Sequence, residues 1–107
     1  MNIVCTGNYR KEKYFNTLNN IGKYFNSFPA YKVFVTDDFK NKVDHFSIHD
    51  SIEILDFNTC LSKADVIFSI GGDGTILSTV RRLEQNIVPV LGIHIGGLGF
   101  LAQSTAE

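Results

Sequence analysis

The chain has 107 residues, 44% of them hydrophobic and nine of them phenylalanine, with a formal net charge of -1. That is one domain or a piece of one, with enough apolar material for a core and no resemblance to a disordered composition. The near-neutral balance offers no electrostatic basis for gripping nucleic acid or an anionic membrane, and no apolar stretch approaches bilayer-spanning length.

Cys5 and Cys60 stand far apart and form no metal-type spacing. Cys5, inside an apolar run, reads as a small buried hydrophobe, and neither thiol calls for an oxidising compartment. The first residues lack the basic start and long apolar block of a signal peptide. A soluble cytoplasmic protein is therefore expected.

Residues 2–6 form a compact apolar run closed by Gly7-Asn8, as a buried first strand would. Arg10, Lys11 and Lys13 follow, and with the later Arg81-Arg82 pair they read as short solvated charge groups. From residue 11 to 28 the spacing becomes helical: Tyr14, Leu18, Ile21, Phe25 and Phe28 share one face, and Asn16, Asn19, Asn20 and Lys23 take the other. Gly22 weakens this helix slightly, and Pro29 ends it.

Residues 31–36, rich in β-branched and aromatic side chains, predict a second strand, and strand–helix–strand order implies a parallel pair. Residues 37–50 are the least readable. Phe39, Val43 and Phe46 fit one face of a short helix, whereas Asp37, Asp38 and Asp44 suit turns. His45 and His49 have a spacing that can hold a metal on a helix, but no carboxylate completes the set, so no metal site is expected. Residues 51–55 alternate like a half-exposed edge strand, and 58–64 suit a short helical turn.

Val66 to Ile70 is a continuous apolar run, expected to be a central strand buried on both faces. It runs directly into Gly71-Gly72-Asp73-Gly74-Thr75. The segment from Thr75 to Asn86 predicts a helix with Ile76, Val80 and Leu83 on its apolar face. Residues 89–93 read as another buried strand, opening on a proline that needs no ladder donor there. A second glycine-rich loop follows, from His94 to Leu101. The alternation defines an α/β domain with a largely parallel sheet, and both glycine loops leave the carboxyl ends of its strands, where such sheets bind ligands.

Glycines at a strand-to-helix turn let backbone N–H groups approach an anion, and the helix dipole points at the same place. Asp73 as a simple N-cap does not ask for three glycines around it. The functional reading has Gly71, Gly72 and Gly74 opening donors to phosphate oxygens, with Thr75 adding a hydroxyl. Asp73 then either takes a proton from an attacking hydroxyl or holds Mg²⁺ against the phosphates. The Lys-Ser/Thr ending of a Walker A loop is missing, as is the G-x-G-x-x-G dinucleotide spacing.

Gly71 to Thr75 resembles the GGDGT motif of NAD kinases, diacylglycerol-type lipid kinases and, in variant form, 6-phosphofructokinases. Residues 89–93 followed by Gly96, Leu98, Gly99, Phe100 and Leu101 are similar to the NAD kinase pattern PVLGIN-x-G-x-LGFL. The Gly-Thr-x-Asn-Asp run of lipid kinases is absent, and Asp65 before the central strand also fits the NAD kinase style. The resemblance is close over residues 64–103 and extends only to layout before that.

It implies a Rossmann-like nucleotide-binding domain over residues 1–107. It also implies transfer of a phosphoryl group from ATP, or polyphosphate, to the 2′-hydroxyl of the adenosine ribose of NAD, giving NADP. Asp73 matches the proton acceptor, Asp73 and Gly74 match NAD contacts, and Leu77 and Phe100 match apolar positions near the adenine. Mg²⁺ or another divalent cation and a homo-oligomer are further expectations. His94 stands where the pattern usually has Asn, and Ser78 where some members have a basic residue. The family's Asn-Asn-Glu/Asp motif and β-rich C-terminal domain lie beyond Glu107, so these residues alone are expected to have negligible activity. The alternatives are a lipid or sugar kinase of the same superfamily, or a non-catalytic nucleotide-binding or assembly module.

Overall fold

A computed structural model describes residues 1–95. The elements in chain order are β1 (Asn2–Gly7), α1 (Tyr14–Phe25), β2 (Lys32–Thr36), a 3-10 turn (Asp37–Phe39), β3 (Ile52–Leu55), α2 (Phe57–Lys63), β4 (Val66–Gly71), α3 (Asp73–Leu83) and β5 (Val90–His94). The five strands form one sheet in the order β3-β2-β1-β4-β5, and every pairing is parallel.

Strand alternation sorts the core into two layers. Ile3, Cys5, Val33, Val35 and Ile70 pack with Tyr14 and Leu18 of α1 and with Phe39 beyond β2. The opposite faces of the same strands present Val4, Phe34 and Ile67 to Cys60 of α2 and Leu83 of α3. Connections that step from β1 towards β2, and from β4 towards β5, run in opposite directions. Right-handed crossovers then place α1 on one face and α3 on the other. The two strands whose connections diverge, β1 and β4, lie side by side at the centre.

The segment before β3 differs from the helical alternative. After the 3-10 turn the chain runs irregularly to residue 50, and its aromatics pack without a helix. Phe39 and Phe46 meet edge to face at 4.7 Å between centroids, and Phe15 of α1 closes on Phe39 at 5.4 Å. Asn19 pins the loop by donating to the Ser47 carbonyl (2.7 Å) and accepting the His49 N–H (2.8 Å). His49 turns its Nδ1 onto the Ser51 hydroxyl at 2.7 Å, so its imidazole closes a turn. Among the described residues no cluster of three His, Cys, Asp or Glu side chains is placed to hold a metal.

Three further expectations are adjusted. The first helix is shorter than its apolar stripe, because residues 8–13 form turns and Pro29 disfavours helix before it. Gly22 proves to be a packing residue: a Cβ there would meet the Ile52 side chain at 2.5 Å, so the glycine lets α1 approach β3. The last strand, read as buried, stands at the edge of the sheet among the described residues, with Leu91 exposed. An apolar run alone does not reveal whether both faces are covered. Asp65 clips the opposite end of the sheet, exchanging backbone and side-chain hydrogen bonds with Asn2. None of the helices described is long and apolar enough to cross a membrane.

Candidate active site

The turn after β4 is built by close approach on one side and open space on the other. Gly71 ends β4 in register with His94, and a Cβ on it would collide with the Thr75 side chain at 2.4 Å. Gly72 is the N-cap of α3 and its carbonyl accepts the N–H groups of Thr75 and Ile76, both at 3.1 Å. A Cβ on Gly72 or on Gly74 would meet nothing within 4 Å. Neither has the positive φ that would demand glycine. Among the described residues there is thus no packing reason for these two, and the space they leave lies at the positive end of a helix.

Beneath the turn, α3 is bolted to the sheet by polar contacts. Ser69 and Thr79 are both buried and their hydroxyls lie 2.9 Å apart, while Thr79 also donates to the Thr75 carbonyl at 2.9 Å. Gly92 of β5 admits Ile76, whose Cδ1 would be 2.2 Å from an added Cβ. The inward face of α3 is therefore Ile76, Thr79 and Leu83. Val80, expected on that face, is turned outward with Leu77.

On the β1 side of this helix end lies a crevice of about 620 Å³. The α3 side supplies Gly72, Gly74, Thr75, Ser78, Thr79 and Arg82, and the β1 side supplies residues 6–11. Its place between β1 and β4 is the switch point at which open α/β sheets take ligands. Gly7 shapes it: its φ is 145°, and a Cβ there would sit 2.1 Å from the Ile70 carbonyl oxygen, so only glycine fits where β1 ends against β4. Asn8 then holds a turn by accepting the Arg10 N–H at 3.1 Å.

Three cations, Arg10, Lys11 and Arg82, converge on the crevice. As a sequence these looked like two unrelated solvated groups; only the β1–β4 pairing brings them together. No ion pair among the described residues engages Arg10 or Lys11. Arg82 holds Asp38 at 2.9 and 3.3 Å and lies over the Phe57 ring at 3.8 Å. Partial burial pushes the Asp38 carboxyl up, but hydrogen bonds from Arg82, Thr36 and Thr6 outweigh it and hold Asp38 below the usual carboxylate range.

On the β5 side of the same helix end stands Asp73, the first residue of α3, with its carboxylate almost fully exposed. Leu77, one turn on and on the same side, is also exposed. His94 comes up beside them from β5, its Nε2 3.4 Å from Asp73 Oδ1. Of the site residues expected from sequence, Gly71 to Thr75 and Leu77 thus gather at this helix end. Phe100 lies outside the described residues.

A doubly wound parallel sheet whose switch point carries a glycine turn, a basic crevice and an exposed carboxylate defines an α/β domain with a candidate ligand site at that edge. Residues 6–107 match the family model for the ATP-NAD kinase N-terminal domain, and the chain belongs to that family. It is 42% identical over 77 residues to an NAD kinase of Clostridium kluyveri, covering 65% of this chain and 25% of that protein. An NAD kinase of Clostridium botulinum is 35% identical over 92 residues, covering 79% of this chain and 32% of the relative. The chain thus spans about a quarter to a third of these relatives' length. In fold it is similar to yeast NADH kinase, solved with NADH, at a TM-score of 0.72 and 23% identity, over 94% of this chain and 31% of that one.

Proposed function

We propose that this domain serves an NAD kinase, in which the terminal phosphoryl group of ATP or polyphosphate passes to the 2′-hydroxyl of the adenosine ribose of NAD. The observation that carries the reading is the open glycine pair, Gly72 and Gly74, lying between a basic crevice and an exposed carboxylate. The donor's phosphates occupy the crevice, where Arg10, Lys11, Arg82 and the N–H groups of the helix end offset their charge. NAD lies on the β5 side, with its adenine against Leu77 and Phe100 and its ribose hydroxyl at Asp73.

Asp73 accepts the hydroxyl proton as the 2′-oxygen forms its bond to the terminal phosphorus. The bond from that phosphorus to the bridging oxygen breaks, and the electron pair leaves with the shortened donor. Glycine at 72 and 74 keeps the path between the two sides clear of side chains. Mg²⁺ or another divalent cation would accompany the donor and would supply charge neutralisation on its phosphates. Work in the cytoplasm as a homo-oligomer completes the proposal.

The test is NADP formation by the complete protein with NAD and ATP or polyphosphate, beside its Asp73→Asn variant. Turnover that is lost in a folded Asp73→Asn protein is expected. Absence of NADP formation in the wild type, or undiminished turnover in the variant, would overturn the reading.

A further inference from the structure

Asp73 needs something to aim it. Its carboxylate is 93% exposed, and no hydrogen bond from another described residue fixes its rotamer. A general base must hold an oxygen within about 3 Å of the proton it removes, so a freely turning carboxylate wastes most of its orientations. One side chain stands where it can restrict that motion. His94 Nε2 lies 3.4 Å from Asp73 Oδ1. Its backbone is fixed by the parallel ladder, opposite Gly71, and the next residue donates its N–H to the Gly71 carbonyl at 3.0 Å. Base and neighbour are therefore anchored to the same glycine, one through α3 and one through β5.

Resting on the NAD kinase reading, we infer that His94 is a positioning residue for Asp73. From the 3.4 Å contact a small turn of the ring would let the Nε2–H tautomer donate to Oδ1, leaving Oδ2 free for the ribose hydroxyl. Stability does not account for the contact, because pairs this exposed contribute little to folding. The benefit lies in the reacting geometry, so it should be read in kcat rather than in substrate affinity or melting.

The experiment compares wild type, His94→Ala and His94→Gln in the complete protein. A glutamine places an amide N–H at about the reach of Nε2, whereas alanine supplies no donor. His94→Ala should lower kcat at least about tenfold, with the KM for NAD within about twofold and the melting temperature unchanged. His94→Gln should recover most of the loss. In an Asp73→Asn background, His94→Ala should cost nothing further. Unchanged kcat in His94→Ala overturns the inference, as does a loss confined to KM or folding, or a His94→Gln variant no better than alanine. A wild type that makes no NADP instead overturns the kinase reading on which it rests.

Discussion

Arg82, near the end of α3, reaches to Asp38, just past β2, with its two terminal guanidinium nitrogens on the carboxylate at 2.9 and 3.3 Å. This pair ties α3 to the end of a strand two positions away in the sheet. Thr36 donates a hydrogen bond to the same carboxylate at 2.9 Å, and its hydroxyl oxygen lies 2.9 Å from that of Thr6. The pair is partly exposed, so Asp38→Asn should cost about 1 kcal/mol or less at pH 7. Because the folded-state pKa is depressed, the ionic contribution is fully present above the ordinary value of 3.8 and is lost as pH falls through the lower folded value. Urea midpoints of wild type and Asp38→Asn should differ at pH 7 and 5 and converge as pH drops well below 3.8.

The glycines divide into two kinds, and alanine substitution separates them. Gly7→Ala places a Cβ against the Ile70 backbone at a positive φ, and a loss of several kcal/mol, on the order of 3 or more, is expected in denaturation. Gly74→Ala meets nothing and removes a helix-weakening glycine, so stability should hold or rise by up to about 1 kcal/mol. Its turnover should nevertheless fall at least about tenfold. A Gly74→Ala protein that is stable and fully active would remove the ligand-approach argument.

Arg10 and Lys11 have crevice duties with no ion pair among the described residues. The double variant Arg10→Ala/Lys11→Ala should raise the KM for the phosphoryl donor several-fold and leave that for NAD nearly unchanged. Steady-state kinetics at two salt concentrations would check it, since wild-type donor affinity should also weaken more steeply with salt.

Both thiols are buried, and burial pushes both pKa values up, Cys60 to about 11 with the charges of Asp56 and Asp37 adding to the shift. At pH 8 almost no thiolate exists on the folded domain. A disulfide reagent such as DTNB should label neither cysteine natively and both once the protein is unfolded.

Much of this was legible in the chain itself. The alternation of apolar runs and helical stripes specified parallel strands, and the glycine turn stands, as expected, at the carboxyl edge of the sheet. What escaped reading depended on contacts between distant segments. The 37–50 stretch carries aromatics at a helix-like spacing, yet Asn19 and Phe15 hold it as a loop. Gly22 looked like a weak helix position because Ile52, its neighbour in space, lies in β3, thirty residues on. Arg10 and Arg82 looked unrelated for the same reason. His94 was visible only as a departure from a pattern, and its meaning depends on the ladder partner Gly71.

Strand order also governs how the polypeptide is made. The central pairing joins Ile3–Gly7 with Val66–Ile70, so one edge of β1 waits for a partner encoded some sixty residues later. On the ribosome, β1, α1 and β2 emerge early and can collapse together, but β1 then shows an open apolar margin until β4 clears the exit tunnel. Closure across so long a loop is slow. Nascent chains stalled before residue 66 should therefore be the ones that chaperones hold.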